Sequence, residues 1–471
     1  MDFLRIFVIS TFLGAAGVSG TVQFLEPFLK AGGTAPLVAA CRQADQVYNS
    51  GRGESGSVDS GALGWNESYR LRCYWELYEL TGDRHWLDQL ANHTDRMFAN
   101  LPLGSDKQVH PWRTDLYGRA LIRAEAAYNR GTGSIQVPSP RITDPDKAKN
   151  VLKRRYILEF RTPARFVVTD ALSGLQVGDP GNYKDGSDIA ILPGVRVRIQ
   201  GKPLTGDLFT VETTGPNPLP YIVHQGMVLI PIARFIEAAI KDPALAPYRS
   251  RAEGYLKTIE TVFLLGNEQH WIETGDGAGA YRWSAEPTER FPNRILPHNQ
   301  YLALGTAWLI LGDVSQNQLF RRRAKAMAMN FKRALRPVGD VVEWNYCDFM
   351  EPTVTDVCGM EDVAHGAIDV GFAEEALIRH VVFTGEDLRR FARTFVTRIW
   401  NGDAQRPCLG DFVNTSKGDT TNIYNWVELA QWEPRILDIA KGVLAARPGT
   451  DKDRALQFAV TYQAACKHCR K

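Results

Sequence analysis

The sequence lacks an excess of charge of either sign. Its 471 residues include 55 Lys and Arg against 53 Asp and Glu, which gives a formal net charge of +2. Dedicated nucleic-acid-binding proteins usually carry a clear basic excess, so we expect no nucleic-acid partner. A local basic cleft needs no global excess, so this balance still permits an anionic ligand.

Beyond its first residues, the sequence also lacks apolar runs of the length that a membrane-spanning helix needs, about 20 residues. The apolar run at residues 6–18 is shorter, follows Arg5 and precedes two small residues. This pattern indicates a signal peptide at residues 1–20, with a buried first helix as the alternative. We therefore predict a periplasmic or secreted protein without a membrane span.

Cysteines are scarce, and their number, seven, is odd. Cys347 and Cys358 flank a short segment and could pair in an oxidising compartment. The sequence has no tight cluster of His, Asp and Cys with the spacing of metal ligands. We predict neither a metal nor a cofactor.

Helical hairpins recur along the chain. Each combines an amphipathic helix, a glycine stop, an acidic residue and a second helix, and three copies begin near Tyr74, Tyr301 and Phe372. Such hairpins bury a core only by stacking on neighbours, in an open solenoid or a closed ring. Polar and aromatic residues at the helix starts favour a shared cavity. We therefore predict a mainly α fold, an (α/α)n toroid of helical hairpins.

One region departs from the helical pattern. Between residues 156 and 214 the hydrophobic period drops to two, with turn residues between the segments. We predict an inserted small β domain at residues 151–215, between two parts of a toroid domain at 21–150 and 216–450. A C-terminal helix and basic tail are predicted at 451–471. Residues 201–211 resemble a β motif of flagellar hook-associated proteins.

Four groups of polar side chains stand at predicted helix starts or on helix stripes. They are His224 and Gln225; Arg294, His298 and Asn299; Trp344 and Tyr346; and Glu361, His365 and Asp369. In a helix, the fourth group would place its three ionisable side chains on one stripe. Such a stripe is costly to bury unless its members pair or do chemistry. For any single group, a helix cap or a core residue is the plainer interpretation.

These groups resemble motifs of α/α-toroid polysaccharide lyases that cleave alginate or glucuronan. The matching runs include His224-Gln225-Gly226-Met227, Glu361-Asp362-Val363-Ala364-His365 and Gly64-Trp65-Asn66-Glu67-Ser68-Tyr69. The resemblance covers residues 61–130 and 221–444 but not the β insert. It implies an enzyme that removes the C5 proton of a uronic acid and cleaves the polymer by β-elimination. The implied partner is an anionic polysaccharide, and the scheme requires no metal or cofactor.

The resemblance implies three roles. Neutralising the uronate carboxylate would stabilise the enolate-like transition state, and the candidates are Gln225, Asn299, His224 and Arg294. Proton transfer is expected from Tyr346, whose phenol pKa neighbouring cations would lower, and from His365 oriented by Glu361, with His298 as the alternative. Sugar binding is assigned to Trp65, Asn66, Trp283 and Trp344.

Three alternatives stay open. A glycoside hydrolase on the same toroid would need two carboxylates, Glu361 or Asp362 opposite Glu343 or Asp348. A uronyl C5-epimerase would share the proton abstraction without shortening the polymer. A non-catalytic carbohydrate-binding envelope protein would use the repeat as a surface and the β insert for docking.

Overall fold

The computed structural model describes residues 25–30, 33–142, 153–179, 182–192, 194–348, 358–420, 423–446 and 452–469. About 49% of the chain is helical and about 20% is strand. The predicted mainly α composition is confirmed at this coarse level. The predicted signal peptide lies outside the described residues.

Within the described ranges, eleven helices have ten or more residues. They are α1 (Thr34–Val47), α2 (Ser68–Thr81), α3 (His85–Ala99), α4 (Ile222–Lys241), α5 (Arg249–Thr258), α6 (His298–Leu311), α7 (Gln318–Ala334), α8 (Val363–Ile378), α9 (Gly385–Thr394), α10 (Arg435–Ala446) and α11 (Lys452–His468). The predicted hairpins are confirmed as the consecutive pairs α2–α3, α6–α7 and α8–α9.

Local signals in the sequence explain where several of these helices begin and end. Helix α2 stops at Gly82, whose φ of 71° few other residues adopt without strain. Helix α9 begins with a capping box, in which Thr384 and Asp387 each bond the other's backbone N–H. The side chain of Asp362 caps α8 by accepting from two backbone N–H groups of its first turn.

Thirteen short strands form four antiparallel sheets in the described residues. They are β1 (Ala120–Tyr128), β2 (Ser134–Gln136), β3 (Arg141–Ile142), β4 (Arg154–Thr162), β5 (Arg165–Asp170), β6 (Gln176–Gly178), β7 (Asp188–Leu192), β8 (Val195–Gln200), β9 (Leu208–Thr214), β10 (Trp271–Gly275), β11 (Ala278–Tyr281), β12 (Arg336–Val338) and β13 (Val341–Glu343). The largest sheet has the order β3-β1-β9-β4-β5-β6, and β2-β8-β7 form a second sheet. The two hairpins β10–β11 and β12–β13 lie among the helices.

The strands β1 to β9 have a hydrophobic core of their own. Alternate residues of β4 (Tyr156, Leu158 and Phe160) point into it, as the period-two pattern predicted. The strand-rich region starts at Ala120, so β1 to β3 come from residues that the sequence assigned to the helical part. The limits of a separate β domain stay a prediction.

The chain enters and leaves this region at neighbouring points. The backbones of Thr114 and Leu219 exchange two hydrogen bonds, of 2.9 and 2.8 Å between nitrogen and oxygen. The strands between these two residues can therefore be inserted without separating the helices on either side of the insertion.

Close backbone contacts fix the central helices. A Cβ on Gly226 of α4 would lie 2.3 Å from the backbone nitrogen of Leu304 on α6, and one on Gly64 would lie 2.7 Å from the Cβ of His224. Only glycine permits such approaches. Helix α4 has the length and hydropathy of a membrane-spanning segment, but 72% of its apolar window is buried inside the molecule, as in a core helix.

The predicted disulfide between Cys347 and Cys358 is confirmed. It joins the segment after β13 to the segment before α8. Cys41, Cys73, Cys408 and Cys469 are free thiols.

Candidate functional site

A pocket of about 530 Å³, including its open mouth, lies at the N-terminal ends of the central helices. Val223 contributes from the start of α4, Asn299 and Gln300 from the first turn of α6, and His365 from the first turn of α8. Helix N-termini present backbone N–H groups and a partial positive charge. Three of them around one cavity favour a polar or anionic ligand.

Aromatic rings form most of the pocket wall. They are Trp65, Tyr117, Tyr221, Trp283, Phe291 and Tyr346. The indole nitrogen of Trp65 donates to the Tyr117 hydroxyl at 2.7 Å, and the ring centroids of Trp283 and Phe291 are 4.9 Å apart. Since burial raises the pKa of Tyr117 to about 12, its phenol stays neutral. The wall is therefore an apolar surface of rings held in place by one another.

An ion pair lies beside this wall. The Nδ1 atom of His365 is 2.5 Å from a carboxylate oxygen of Asp362. Burial alone would lower the pKa of His365, but the Asp362 carboxylate outweighs it and the pKa is raised. Burial would likewise raise the pKa of Asp362, and its bonds to His365 and to the start of α8 hold it below the usual value. Because Nδ1 is bound to Asp362, a ligand would meet the imidazole through Nε2.

Arg290 adds a second cation to the pocket lining. Its guanidinium carbon lies 5.1 Å from the centroid of the Phe291 ring. Burial lowers its pKa from the usual value, although guanidinium groups stay protonated in proteins. The neighbouring Glu289 is buried behind the wall, and burial raises the pKa of its carboxyl to about 7. The acidic group beside Arg290 is thus partly protonated near neutral pH.

Two amides complete the polar side of the pocket. Asn299 is 1% exposed, and neither atom of its amide has a hydrogen-bond partner among the described residues. Its neighbour Gln300 donates to the Tyr346 hydroxyl at 3.2 Å. Leaving buried polar atoms unpaired costs about 1–3 kcal/mol each. A bound molecule with a polar group at Asn299 would remove that cost.

The structure corrects the expected acidity of Tyr346. Its pKa is raised, chiefly by burial and then by the charge of Glu361, instead of being lowered by cations. Its ring centroid is 5.5 Å from that of His365. Tyr346 therefore offers a neutral hydroxyl to the pocket rather than a phenolate.

A pair of buried carboxyl groups lies beneath the pocket. Glu361 and Asp369 are both fully buried and interact electrostatically, and the indole of Trp344 donates to Asp369 at 2.8 Å. Burial raises the pKa of Asp369 to about 6 and that of Glu361 well above its usual value. Two carboxylates in contact cannot both ionise at low cost, so the pair shares one proton near neutral pH.

This arrangement corrects the role given to Glu361. Helix α8 begins at Val363, so Glu361 precedes the helix instead of sharing its stripe. Asp362, the cap of the helix, orients His365, while Glu361 pairs with Asp369.

Glu361, Asp362 and His365 could in principle hold a metal ion, because their oxygen and nitrogen atoms lie within 4.8 Å of one another. The Nδ1 atom of His365 is bound to Asp362, and Glu361 interacts electrostatically with Asp369. Because the imidazole and the Asp362 carboxylate already bond each other, we assign no metal to this group.

Two residues predicted at the start of α4 lie outside the pocket lining. His224 bonds Ser60 at 3.0 Å, and burial lowers its pKa to about 3, so the imidazole is neutral. Gln225 accepts a hydrogen bond from Asn267 at 2.7 Å. Both side chains tie α4 to neighbouring segments of the core.

Several other predicted site residues also have structural positions. His298 bonds the hydroxyl of Tyr301 at 2.6 Å and Asp348 at 3.2 Å. Trp344 is fully buried, and Asn66 is exposed. In the described chain, the pocket lining includes none of these residues, nor Arg294, nor the proposed hydrolase carboxylates Glu343 and Asp348.

The sequence therefore predicted five of the lining residues: Trp65, Trp283, Asn299, Tyr346 and His365. It missed six others: Tyr117, Tyr221, Val223, Arg290, Phe291 and Gln300. Gln300 directly follows a predicted residue in the first turn of α6, and this position could have identified it. The run that contains Arg290 and Phe291 lies between elements, and no periodic pattern marks it.

Comparisons with known proteins give few matches. No family model and no curated protein matches this chain. Among solved structures, FlgL of Xanthomonas campestris is 16% identical, with 48% of this chain and 93% of that chain covered and a TM-score of 0.16. The flagellar junction protein FlgL of Legionella pneumophila is 15% identical, with 42% and 84% covered and a TM-score of 0.14. Likenesses of this size carry no argument about function.

These findings correct the main functional predictions from the sequence. The solved structures named here are flagellar FlgL and hook-associated proteins, not polysaccharide lyases. On this ground the predictions of a polysaccharide lyase, of its hydrolase and epimerase alternatives, and of an anionic polysaccharide partner are corrected. No finding tests the envelope-protein alternative. The predicted periplasmic or secreted location stays a prediction.

Proposed function

We propose that this chain is a ligand-binding protein whose pocket holds a small organic anion with a flat or ring-shaped apolar body. The observation that carries the proposal is the composition of the pocket wall. Aromatic rings line one part of it, and the donors Arg290, His365 and Asn299 line another. Such a division fits a molecule with one apolar and one charged end.

The donors support recognition of a carboxylate. A guanidinium can bind a carboxylate through two parallel hydrogen bonds. The pKa of His365 is raised, which favours the protonated imidazole. Asn299 offers an amide without a described partner. The acidic groups Asp362 and Glu361 are outside the lining, so the ligand would face the donors and not the carboxylates.

The rings support a flat or cyclic apolar body. Trp65 and Tyr117 are fixed by their mutual hydrogen bond, and Trp283 packs against Phe291. Because these rings are held before a ligand arrives, little conformational entropy is lost when a planar molecule packs on them. Stacked or edge-on aromatic contacts add about 0.5–1.5 kcal/mol beyond the buried area.

We also propose that the helices close into a toroid, with the β strands as an insertion. The support is a circuit of packed neighbours: α2 packs on α4, α4 on α6, α6 on α8, α8 on the segment Asn425–Gln431, that segment on α11, and α11 on α2. A closed ring gathers helix ends at one place, where the pocket lies.

We further infer that the protein works outside the cytosol. The disulfide between Cys347 and Cys358 supports this inference, because such bonds persist in oxidising compartments. The predicted signal peptide agrees with it.

The proposal is tested by calorimetric titration with naphthalene-2-carboxylate and with its neutral isostere, naphthalene-2-methanol. We expect the carboxylate to bind and the alcohol to bind at least tenfold more weakly. The variant Arg290→Gln should lose a charge-assisted bond of about 1.5–3 kcal/mol, which corresponds to a roughly tenfold to hundredfold weaker affinity. Arg294→Gln is the matched control, since Arg294 is close in sequence but does not line the pocket.

Equal affinity for the acid and the alcohol would contradict the proposed recognition of an anion. An equal loss in the two arginine variants would remove the assignment to this pocket. If neither compound binds, the proposed class of ligand is rejected.

A further inference from the structure

A second pocket lies on the part of the molecule formed by α3 and the loop before α2. It encloses about 650 Å³, including its open mouth. Its lining contains two arginines and two asparagines: Arg52, Arg96, Asn49 and Asn100. Among the described residues, no acidic side chain contributes to this lining.

Neither arginine has a carboxylate partner. In the part of the chain that the structure describes, no ion pair involves Arg52 or Arg96. Arg96 donates from Nε to the hydroxyl of Ser55 at 2.7 Å, but its Nη2 atom is buried and has no hydrogen-bond partner. A buried guanidinium nitrogen without an acceptor is costly, since hydrogen bonds to charged groups are worth about 1.5–3 kcal/mol.

Arg96 lies in the last turn of α3, where a cation stabilises the helix by interacting with its dipole. This is one reason for an arginine at this position. The interaction with the helix dipole requires no hydrogen bond from Nη2 of Arg96. It also gives no reason for the second arginine, Arg52, in the loop that lines the same pocket. The two cations converge on one cavity although they come from separate segments.

The loop opposite α3 is held in an unusual conformation. Asn49, Ser50, Gly51 and Gly53 all have φ between 50° and 75°. The Asn49 side chain fixes this conformation by donating to the carbonyl of Gly53 at 2.6 Å, and Asn100 donates to the carbonyl of Gly56 at 3.2 Å. Several residues with positive φ close together are found where the surrounding structure holds the backbone in a strained conformation, often at functional sites. Here that path places Arg52 at the cavity opposite Arg96.

We propose that this pocket, which we call the two-arginine pocket, is a binding site for a phosphate group, either inorganic or carried by a small molecule. Two guanidinium groups in one lining without a carboxylate match the charge and the planar hydrogen-bonding geometry that phosphate recognition uses. The asparagine amides then neighbour the phosphate as neutral polar groups. This site is separate from the aromatic pocket and does not depend on the function proposed for it.

The test is calorimetric titration of the full chain with inorganic phosphate at constant ionic strength, with acetate as the comparison anion. Phosphate should bind with 1:1 stoichiometry, and acetate should bind at least tenfold more weakly. Arg52→Gln and Arg96→Gln should each weaken phosphate binding at least tenfold. Arg322→Gln is the control, because Arg322 is an exposed arginine of α7 outside this lining.

Arg52 is exposed, so Arg52→Gln is expected to fold even if Arg96→Gln does not. Absence of phosphate binding, equal affinity for acetate, or an Arg52→Gln variant that binds like the parent would each overturn the proposal. Arg290→Gln should leave phosphate binding unchanged. Loss of phosphate binding in that variant would show that phosphate occupies the aromatic pocket and would overturn the assignment.

Discussion

At the residue scale, the pair of Asp362 and His365 sets the charge at the polar side of the aromatic pocket. The same carboxylate caps α8 and binds Nδ1 of the imidazole, so the helix start and the ion pair depend on one side chain. The pKa of His365 is raised above its usual 6.5 because the carboxylate outweighs burial. More than half of the imidazole is therefore charged below pH 6.5, and it loses its charge as the pH rises through the raised pKa.

A pH dependence of anion binding follows from this shift. Affinity for naphthalene-2-carboxylate should be highest at about pH 6 and should fall as the pH rises through the pKa of His365. In His365→Gln the decline should be smaller, because the titrating cation is gone. Calorimetry between about pH 6 and about pH 9 measures both curves. Parallel curves for the parent and the variant would contradict a role of His365 in anion binding.

The carboxyl pair of Glu361 and Asp369 makes a second prediction at this scale. Both pKa values are raised, so the folded state holds a proton that the unfolded chain releases. The carboxyl pair therefore favours the folded state most at low pH. This contribution to the free energy of unfolding declines as the pH rises through the raised pKa values, which include about 6 for Asp369. Glu361→Gln cannot ionise and can donate permanently to Asp369.

Urea denaturation at about pH 5 and about pH 8 measures this effect. The parent should lose more stability between the two pH values than Glu361→Gln, by about 1–2 kcal/mol. Asp348→Asn is the control, because Asp348 is about half exposed and outside the pair. Identical losses in parent and Glu361→Gln would show that the two carboxyl groups do not share a proton.

At the scale of elements, the crossing of α4 and α6 holds the pocket together, because each of these helices contributes its N-terminus to the lining. Gly226 permits the crossing, since an added Cβ would lie 2.3 Å from a backbone nitrogen of α6. Backbone cannot move aside as a flexible side chain can, so the helices would have to separate.

Gly226→Ala should therefore destabilise the fold by about 2–3 kcal/mol or more, as overpacking of a close contact does. The matched control is Gly254→Ala in α5, where an added Cβ meets nothing within 4 Å. That substitution should stabilise by about 0.5–1 kcal/mol, because alanine favours a helix over glycine. Thermal unfolding of both variants gives the comparison, and a Gly226→Ala variant as stable as the parent would contradict the close crossing.

The elements also show what the sequence could and could not predict. The hairpins α2–α3, α6–α7 and α8–α9 follow from amphipathic periodicity and glycine stops, which are local signals. Strand β1 is missed because its nine residues include four alanines and one each of Leu, Arg and Glu, all of which favour a helix. Its pairing with β9, a contact between distant parts of the chain, makes it a strand.

At the scale of the whole molecule, the strand-rich region leaves the helical body at a single place. Thr114 and Leu219 are joined by two backbone hydrogen bonds, and β1 to β9 bury a core of their own. Replacing residues 120–214 with a short Gly/Ser linker should therefore leave the helical body folded. The linker has to span only a short distance because the two ends of the deleted region lie close together. The entropic cost of closing such a loop depends only weakly on its length.

Circular dichroism and titration with naphthalene-2-carboxylate measure the outcome for this deletion. Helical signal per molecule and affinity should both be retained within about twofold, since every residue of the pocket lining lies outside residues 120–214. Tyr117 is the lining residue nearest to the deletion in the sequence. Loss of cooperative unfolding on deletion would show that the strands are part of the helical fold.

The pocket as a whole was beyond what the sequence alone could predict. Asn299, Tyr346 and His365 were identified because they stand at helix starts or in polar runs. Arg290 and Tyr117 reach the pocket from irregular segments, where no period indicates which side chain points inward. The positions of His224 and Gln225, which bond to Ser60 and Asn267, depend on contacts between distant segments.

The central claim is that the aromatic pocket holds an anion with its charged end at Arg290 and His365. The most direct test is a crystal structure with 6-bromo-naphthalene-2-carboxylate, in which anomalous scattering locates the bromine. We expect one bromine among the rings of Trp65, Trp283 and Phe291, with the carboxylate within hydrogen-bond distance of Arg290. A bromine at another place on the molecule, or a carboxylate turned away from Arg290, would contradict it.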